Sequence, residues 1–362
     1  MTDTTPACLK ALEIKFYLLI ALASIVIPWE SAHSAATSFN PSIGSNFLIL
    51  GRGGSRGLDP VSNDRNGIAL QEAEVQLSAD VDVYFKANAL FSVSRPTPQQ
   101  SYETDPEEVY VESLSLPLVT LKIGKFKAAL GKHNELHTHA FPFIDQPLIN
   151  TAVLGSEGLN EPAVSASLLL PTPWFSEVTV QEIGAENGTL YNSSRTGDLA
   201  TVARLKNLWD LSTDLTLEWS LFGTGGRNQY DRGSRAWGSE LTMKWRPSRG
   251  GKYQSLAWTT EYLNATIKGN PLGNNIGGIA SWVQYQFAQR WSALARYEYV
   301  GLPIAEFSSS QTKQSALLGF APTEFSGFRL QYDHIRDSLK VEGHQVALQM
   351  SVTIGAHPAH TY

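Results

Sequence analysis

From Gly343 to Gly355 apolar and polar residues alternate without interruption. Val346, Leu348, Met350, Val352 and Ile354 fall on one face of an extended chain. Gln345, Ala347, Gln349, Ser351 and Thr353 fall on the other. A strand of period two with two such unlike faces separates an apolar environment from a polar one. One such strand would suit any half-buried sheet, but the pattern recurs. Strand-like segments are expected at 43–53, 67–80, 84–94, 107–116, 119–131, 161–170, 175–184 and 198–206. The second half continues at 214–224, 235–246, 253–265, 276–288, 291–301, 312–321, 326–335 and 343–355. Each is close to the 9–11 residues that a tilted membrane-spanning strand requires.

The gaps between these segments carry a second rhythm. Every even-numbered connection is short, as at Val81-Asp82-Val83, Pro117-Leu118 and 288–290. The odd-numbered ones are generally longer and rich in Gly, Asn, Ser and Asp, and the longest is 132–160. Tight turns on one side and long loops on the other are the habit of outer-membrane barrels, and an even strand count leaves both ends on the short-turn side. The predicted fold class is all-β: a single transmembrane antiparallel β-barrel of about sixteen strands. At that strand number the interior is wide enough for an aqueous channel.

The two faces agree with this reading. Ala73, Val75 and Leu77 oppose Glu72, Glu74 and Gln76; Leu217, Trp219 and Leu221 oppose Glu218 and Ser220; Ala293, Ala295 and Tyr297 oppose Arg296 and Glu298. Charges that would be costly against acyl chains thus fall on the face assigned to the lumen. Trp174, Phe175, Trp209, Trp245, Tyr253 and Trp291 lie near segment ends, where amphipathic rings suit the headgroup level. A hydropathy scan misses such a chain: its mean hydropathy is −0.16, as expected when apolar residues come every second position.

Residues 1–36 read as an export signal. Lys10 and Lys15 precede an apolar run from Phe16 to Pro28 that is too short to span a bilayer, with cleavage expected after Ser34 or Ala36. The barrel is then expected over 37–362. Cys8 is the only cysteine and falls in that leader, which excludes disulfides, thiolate metal sites and cysteine nucleophiles from the rest. A formal net charge of −6 argues against nucleic acid as a partner.

The run LKIGKFKAALGKHNELHTHAFPFIDQP (121–147) resembles the segment of phosphate-selective-porin-like barrels in which a G-K/R-F strand enters the third outer loop. SEGLNEPAVSASLLLPTPWFSE (156–177), ARLKNLWDLS (203–212), LTMKWRP (241–247) and VQYQFAQRW (283–291) resemble a subgroup of those proteins labelled zinc-regulated TonB-dependent outer-membrane receptors. The resemblance implies a sixteen-stranded porin-like channel whose third loop folds inward as a constriction. It departs from the TonB-dependent pattern, a plugged barrel of about 22 strands, because 36–43 leaves no room for a plug.

Two groups of site residues follow. In the third loop His133, His137, His139 and Asp145 are candidate metal ligands, since neutral imidazole and carboxylate suit zinc or copper. A loop whose histidines hydrogen-bond the wall is the competing reading, and pH gating by aqueous histidines a third. The expected pore-lining charges are Glu72, Glu74, Lys86, Lys122, Arg204, Glu218, Glu240, Lys244, Arg296, Glu298 and Arg329. Their signs interleave, which points to a general or weakly cation-preferring pore rather than a basic phosphate filter. The leading function is passive diffusion of small polar or ionic solutes, without enzymatic activity and without a cofactor unless zinc occupies the loop. The alternative is a zinc-linked receptor or uptake component. Expected partners are the outer-membrane bilayer, its assembly machinery, the solutes, and two further copies in a homotrimer.

Overall fold

The computed structural model describes residues 41–55, 66–95, 101–195, 197–248, 253–271, 273–302, 310–339 and 341–355. The segment expected to be an export signal and the final residues, with His357, His360 and Tyr362, lie outside the described residues. The first eight strands are β1 (Ser42–Gly54), β2 (Gly67–Asp80), β3 (Phe85–Ser94), β4 (Glu103–Ser113), β5 (Val119–Lys127), β6 (Asn160–Leu169), β7 (Phe175–Gly184) and β8 (Leu199–Ser212). The rest are β9 (Leu215–Arg227), β10 (Gly233–Trp245), β11 (Ser255–Ile267), β12 (Asn275–Ala288), β13 (Trp291–Val300), β14 (Gln311–Thr323), β15 (Ser326–Asp337) and β16 (Glu342–Gly355).

Each strand pairs antiparallel with its sequence neighbours, and β1 closes on β16 with Phe47 opposite Val352 and Leu50 opposite Gln349. Closure leaves no sheet edge, so every strand has a ladder on both sides, as a bilayer core demands. The wall is inverted relative to a water-soluble protein. Val75, Leu77, Val180, Leu221, Leu330 and Leu348 point outward and are exposed, Leu348 by 53%. Glu74, Gln181, Glu218, Ser220, Thr242, Glu261, Glu298, Gln331 and Gln349 point inward and are buried. An apolar surface running round the whole barrel fits only against lipid.

All sixteen expected strands are present, and their boundaries differ instructively. β8 runs on to Ser212, six residues past the expected end, because Leu208, Trp209 and Asp210 go on pairing with Glu218, Leu217 and Thr216. The Trp174 indole also holds that end through Asn207 Oδ1 at 3.0 Å. β5 stops at Lys127, four residues earlier than expected. The chain there turns off the wall into the barrel, with Gly131 at φ +80°, where an added Cβ would come within 3.0 Å of Glu261 Oε1 and Phe222 Cζ. That tight entry is a position for glycine.

Candidate functional site

The segment between β5 and β6 (128–159) is the candidate site. It contains two short 3-10 turns (His133–Glu135 and Thr138–Ala140) and one helix, α1 (Leu148–Leu154). Ile149, Val153, Leu154 and Leu159 pack with Phe222, Leu263, Ala265, Ile276 and Val300 in one buried apolar cluster. Those wall residues belong to β9, β11, β12 and β13, so the helix is seated inside the barrel against inward-facing side chains. Asn134 ties the loop's base to itself. Its Nδ2 donates to the Ala128 and Leu159 carbonyls at 2.8 and 3.2 Å, and its Oδ1 accepts from Leu159 N at 2.8 Å.

One anchor surrounds Asp145. Its carboxylate accepts from Arg296 Nη2 at 2.9 and 3.0 Å and from Gln331 Nε2 at 2.6 Å, and it is paired with Lys313. Burial opposes ionisation of Asp145, but Arg296 and Lys313 outweigh it and hold the carboxyl below the usual carboxylate range. Arg296 Nε lies 2.7 Å from Glu298, and its guanidinium covers the Phe143 ring at 4.3 Å. Ile144 N donates to Gln331 Oε1 at 2.9 Å, and Arg329 Nη1 donates to the Phe141 carbonyl at 2.6 Å. On the neighbouring wall Lys132 N donates to Glu240, Lys132 Nζ lies 3.5 Å from Glu218, Glu135 pairs with Arg204, and Asn150 Nδ2 donates to Glu261 at 3.0 Å.

The other anchor has the reverse polarity. His137 lies between two wall carboxylates, with Nδ1 2.8 Å from Glu107 and Nε2 3.2 Å from Glu108. Burial alone would push this imidazole down; its hydrogen bonds to the two glutamates overcome that and raise it to about 9, so both ring N–H groups donate. The His139 ring lies parallel to it at 6.0 Å, with Nδ1 against Glu74. His133 differs from both. It packs tilted against Phe141, ring centroids 4.5 Å apart, and meets the edge of Trp282 at 6.5 Å. Burial, reinforced by the Arg296 charge, pushes it down to about 3, so it stays neutral.

The four residues expected to share one metal are therefore distributed: His133 in an aromatic niche, Asp145 among cations, His137 and His139 against wall acids. Only the last two are neighbours. Among the described residues the sets of three ligating groups that do converge are Glu72, Glu74 and Glu107, and His334, Glu342 and His344.

The expected pore-lining residues all lie on inward-facing positions, but most of them grip the loop. Arg204, Glu218, Glu240, Arg296, Glu298 and Arg329 bind it directly, and Glu74 meets His139. Glu72 lies beside Glu74 and Glu107. Lys86 and Lys122 flank Glu112 in register, with Lys122 Nζ 3.7 Å above the Tyr110 ring. Lys244 opens onto a cavity of about 530 Å³ beneath the loop, bounded by the short turn at Arg290 and the end of β14 at Ala321. Among the described residues that cavity's charged lining consists of Lys132, Lys244, Arg290 and Arg329, with no carboxylate. Glu74, Glu107, Glu108, Glu218, Glu240, Glu261 and Glu298 all engage the loop, so the mixture of signs read from the sequence does not extend to this lining.

Glu107, Glu108 and Lys313 were not singled out by alternation. Glu107 is the extra residue of a bulge: Leu90 pairs with Glu108 and Phe91 with Pro106. A bulge lets two successive side chains face one way, and Glu107 and Glu108 are both buried. The Pro106-Glu107-Glu108 run, two acids breaking the alternation after a proline, was the available signal.

No family model matches the chain. An uncharacterized protein of Aquifex aeolicus (strain VF5) is 27% identical over 346 residues, covering 83% of this chain and 71% of that protein. The outer membrane channel DcaP of Acinetobacter baumannii superposes with a TM-score of 0.59 at 12% identity, covering 87% of this chain and 96% of that one. The anion-selective porin from Comamonas acidovorans gives 0.56 at 9% identity, covering 87% and 98%. In-vitro folded OmpT of Vibrio cholerae, in its trimer form, gives 0.58 at 10% identity, covering 87% and 99%. Identities this low establish architecture, and the architecture is that of a sixteen-stranded outer-membrane barrel of the porin type.

Proposed function

We propose that the protein is a porin-like channel for passive diffusion of small polar or ionic solutes across a bacterial outer membrane, with the inserted loop as its constriction. The observation that carries this reading is the loop itself. A segment of this length, held inside a closed barrel by charges from many strands, narrows the lumen without needing a separate plug. The basic lining of the cavity beneath it favours anions over cations, since basic side chains lower the electrostatic barrier to negative solutes. The anion-selective porin among the similar structures is consistent with this direction.

Export of the chain through cleavage near residue 36, insertion by the outer-membrane assembly machinery and association into a homotrimer complete the proposal. The trimer form of OmpT supports the last of these. Light scattering of the detergent-solubilised protein tests the trimer, and N-terminal sequencing tests the cleavage. Reversal potentials across a planar bilayer under a KCl gradient test the selectivity. A potential of the sign set by chloride is expected; one set by potassium would overturn the anion preference.

A further inference from the structure

Glu72 and Glu74 are two apart on β2 and so share its inner face, while Glu107 reaches the same place from the bulge on β4. One carboxylate oxygen from each lies within 4.8 Å of the others, so a single point lies within about 2.8 Å of all three, near the range of metal–oxygen bonds. All three side chains are buried, Glu74 to 2% exposure. Oε1 of Glu72 and Oε1 of Glu74 have no hydrogen-bond donor among the described residues. His137 is committed to Glu107 and Glu108, and the Lys127 ammonium is turned towards the Glu157 carbonyl at 3.5 Å. Buried carboxylates this close repel one another strongly unless a cation or protons intervene. The loop brings one further ligand type to the edge of this group, the imidazole of His139, which meets Glu74.

We propose that Glu72, Glu74 and Glu107, joined by His139, form a binding site for a divalent first-row transition-metal ion that fastens the constriction loop to the β2–β4 wall. Three carboxylate oxygens and one imidazole make a mixed set suited to an ion of borderline softness such as Zn²⁺, Mn²⁺ or Co²⁺. The ion would neutralise the excess negative charge and give the unpartnered oxygens a partner. It would also join two strands of the wall to the loop through bonds stronger than a single hydrogen bond. The site differs from the loop-only set expected from sequence, because three of its four ligands come from the wall.

The test is titration of the full-length barrel, folded in detergent and stripped with chelator, using Co²⁺ with visible absorption and Zn²⁺ with calorimetry. A His334→Ala/His344→Ala background removes the other converging group, which faces outward on β15 and β16. One equivalent is expected to bind in that background, and Glu74→Gln/Glu107→Gln is expected to weaken it by at least about tenfold. No binding, or binding indifferent to Glu74→Gln/Glu107→Gln, would overturn the site and leave shared protons as the answer to the repulsion. Should the double glutamine variant fail to fold, X-ray absorption on Zn²⁺-loaded wild type decides. One imidazole with oxygen donors is expected, and two imidazoles would place the ion at His334 and His344 instead. Neither readout uses conductance, so the channel reading can fail without touching this one.

Discussion

The two anchors of the inserted loop are built with opposite polarity. Around Asp145 the wall provides cations and the loop provides the acid. Around His137 and His139 the wall provides acids and the loop provides imidazoles. The first uses a guanidinium and an ammonium, which keep their charge across the whole biological pH range. The second uses groups whose charge depends on their surroundings. The Asp145 anchor is thus charged at any biological pH, whereas the His137 anchor depends on an imidazole that its two glutamates hold up to about 9.

Breaking the permanent anchor has the largest expected effect. Asp145→Ala leaves Arg296 and Lys313 buried without their shared acid, a loss on the order of 3–5 kcal/mol. It should appear as a lower unfolding midpoint in detergent and as tryptic cleavage within the loop. Unchanged resistance to trypsin would show that the helix packing alone seats the segment. His137→Ala should cost less, about 1–3 kcal/mol, by leaving Glu107 without its donor while Glu108 keeps the Lys127 N–H. A loss equal to that of Asp145→Ala would erase the contrast between the anchors.

Acid sharpens the comparison from a third position. His133 is pushed down to about 3 in the folded protein against about 6.5 in an unfolded chain. Its contribution is therefore complete above about pH 6.5 and declines as pH falls towards 3, because the unfolded state takes the proton first. Thermal midpoints measured between pH 7 and 5 should fall more steeply for wild type than for His133→Leu; parallel curves would contradict the buried neutral imidazole. The smallest effect is electrical. Lys244→Glu with Arg290→Glu should move the reversal potential towards cations by some millivolts while leaving the unfolding midpoint nearly unchanged.

The wall was legible because lipid and water impose a period of two that no other environment reproduces over sixteen strands. The Val346 to Ile354 face and the Glu72/Glu74 face could be assigned from spacing alone. The interior partnerships were not legible. Asp145 meets Arg296, Lys313 and Gln331 across 151 to 186 residues of sequence, and local pattern carries no information about that distance. The four loop residues chosen as one metal set are near in sequence, but the loop turns twice and sends them to different walls. Glu107 escaped because a bulge breaks the alternation by which its neighbours were found. Charges facing a lumen were identifiable; whether each met water or the loop was not.

Single-channel conductance of the refolded protein, compared in a planar bilayer with a variant whose residues 132–147 are replaced by a short Gly-Ser linker, tests the central claim most directly. If the inserted loop is the constriction, wild type shows steady open steps and the variant shows larger ones with weaker ionic preference. Equal conductance in both, or no conductance from either correctly folded barrel, would contradict the account.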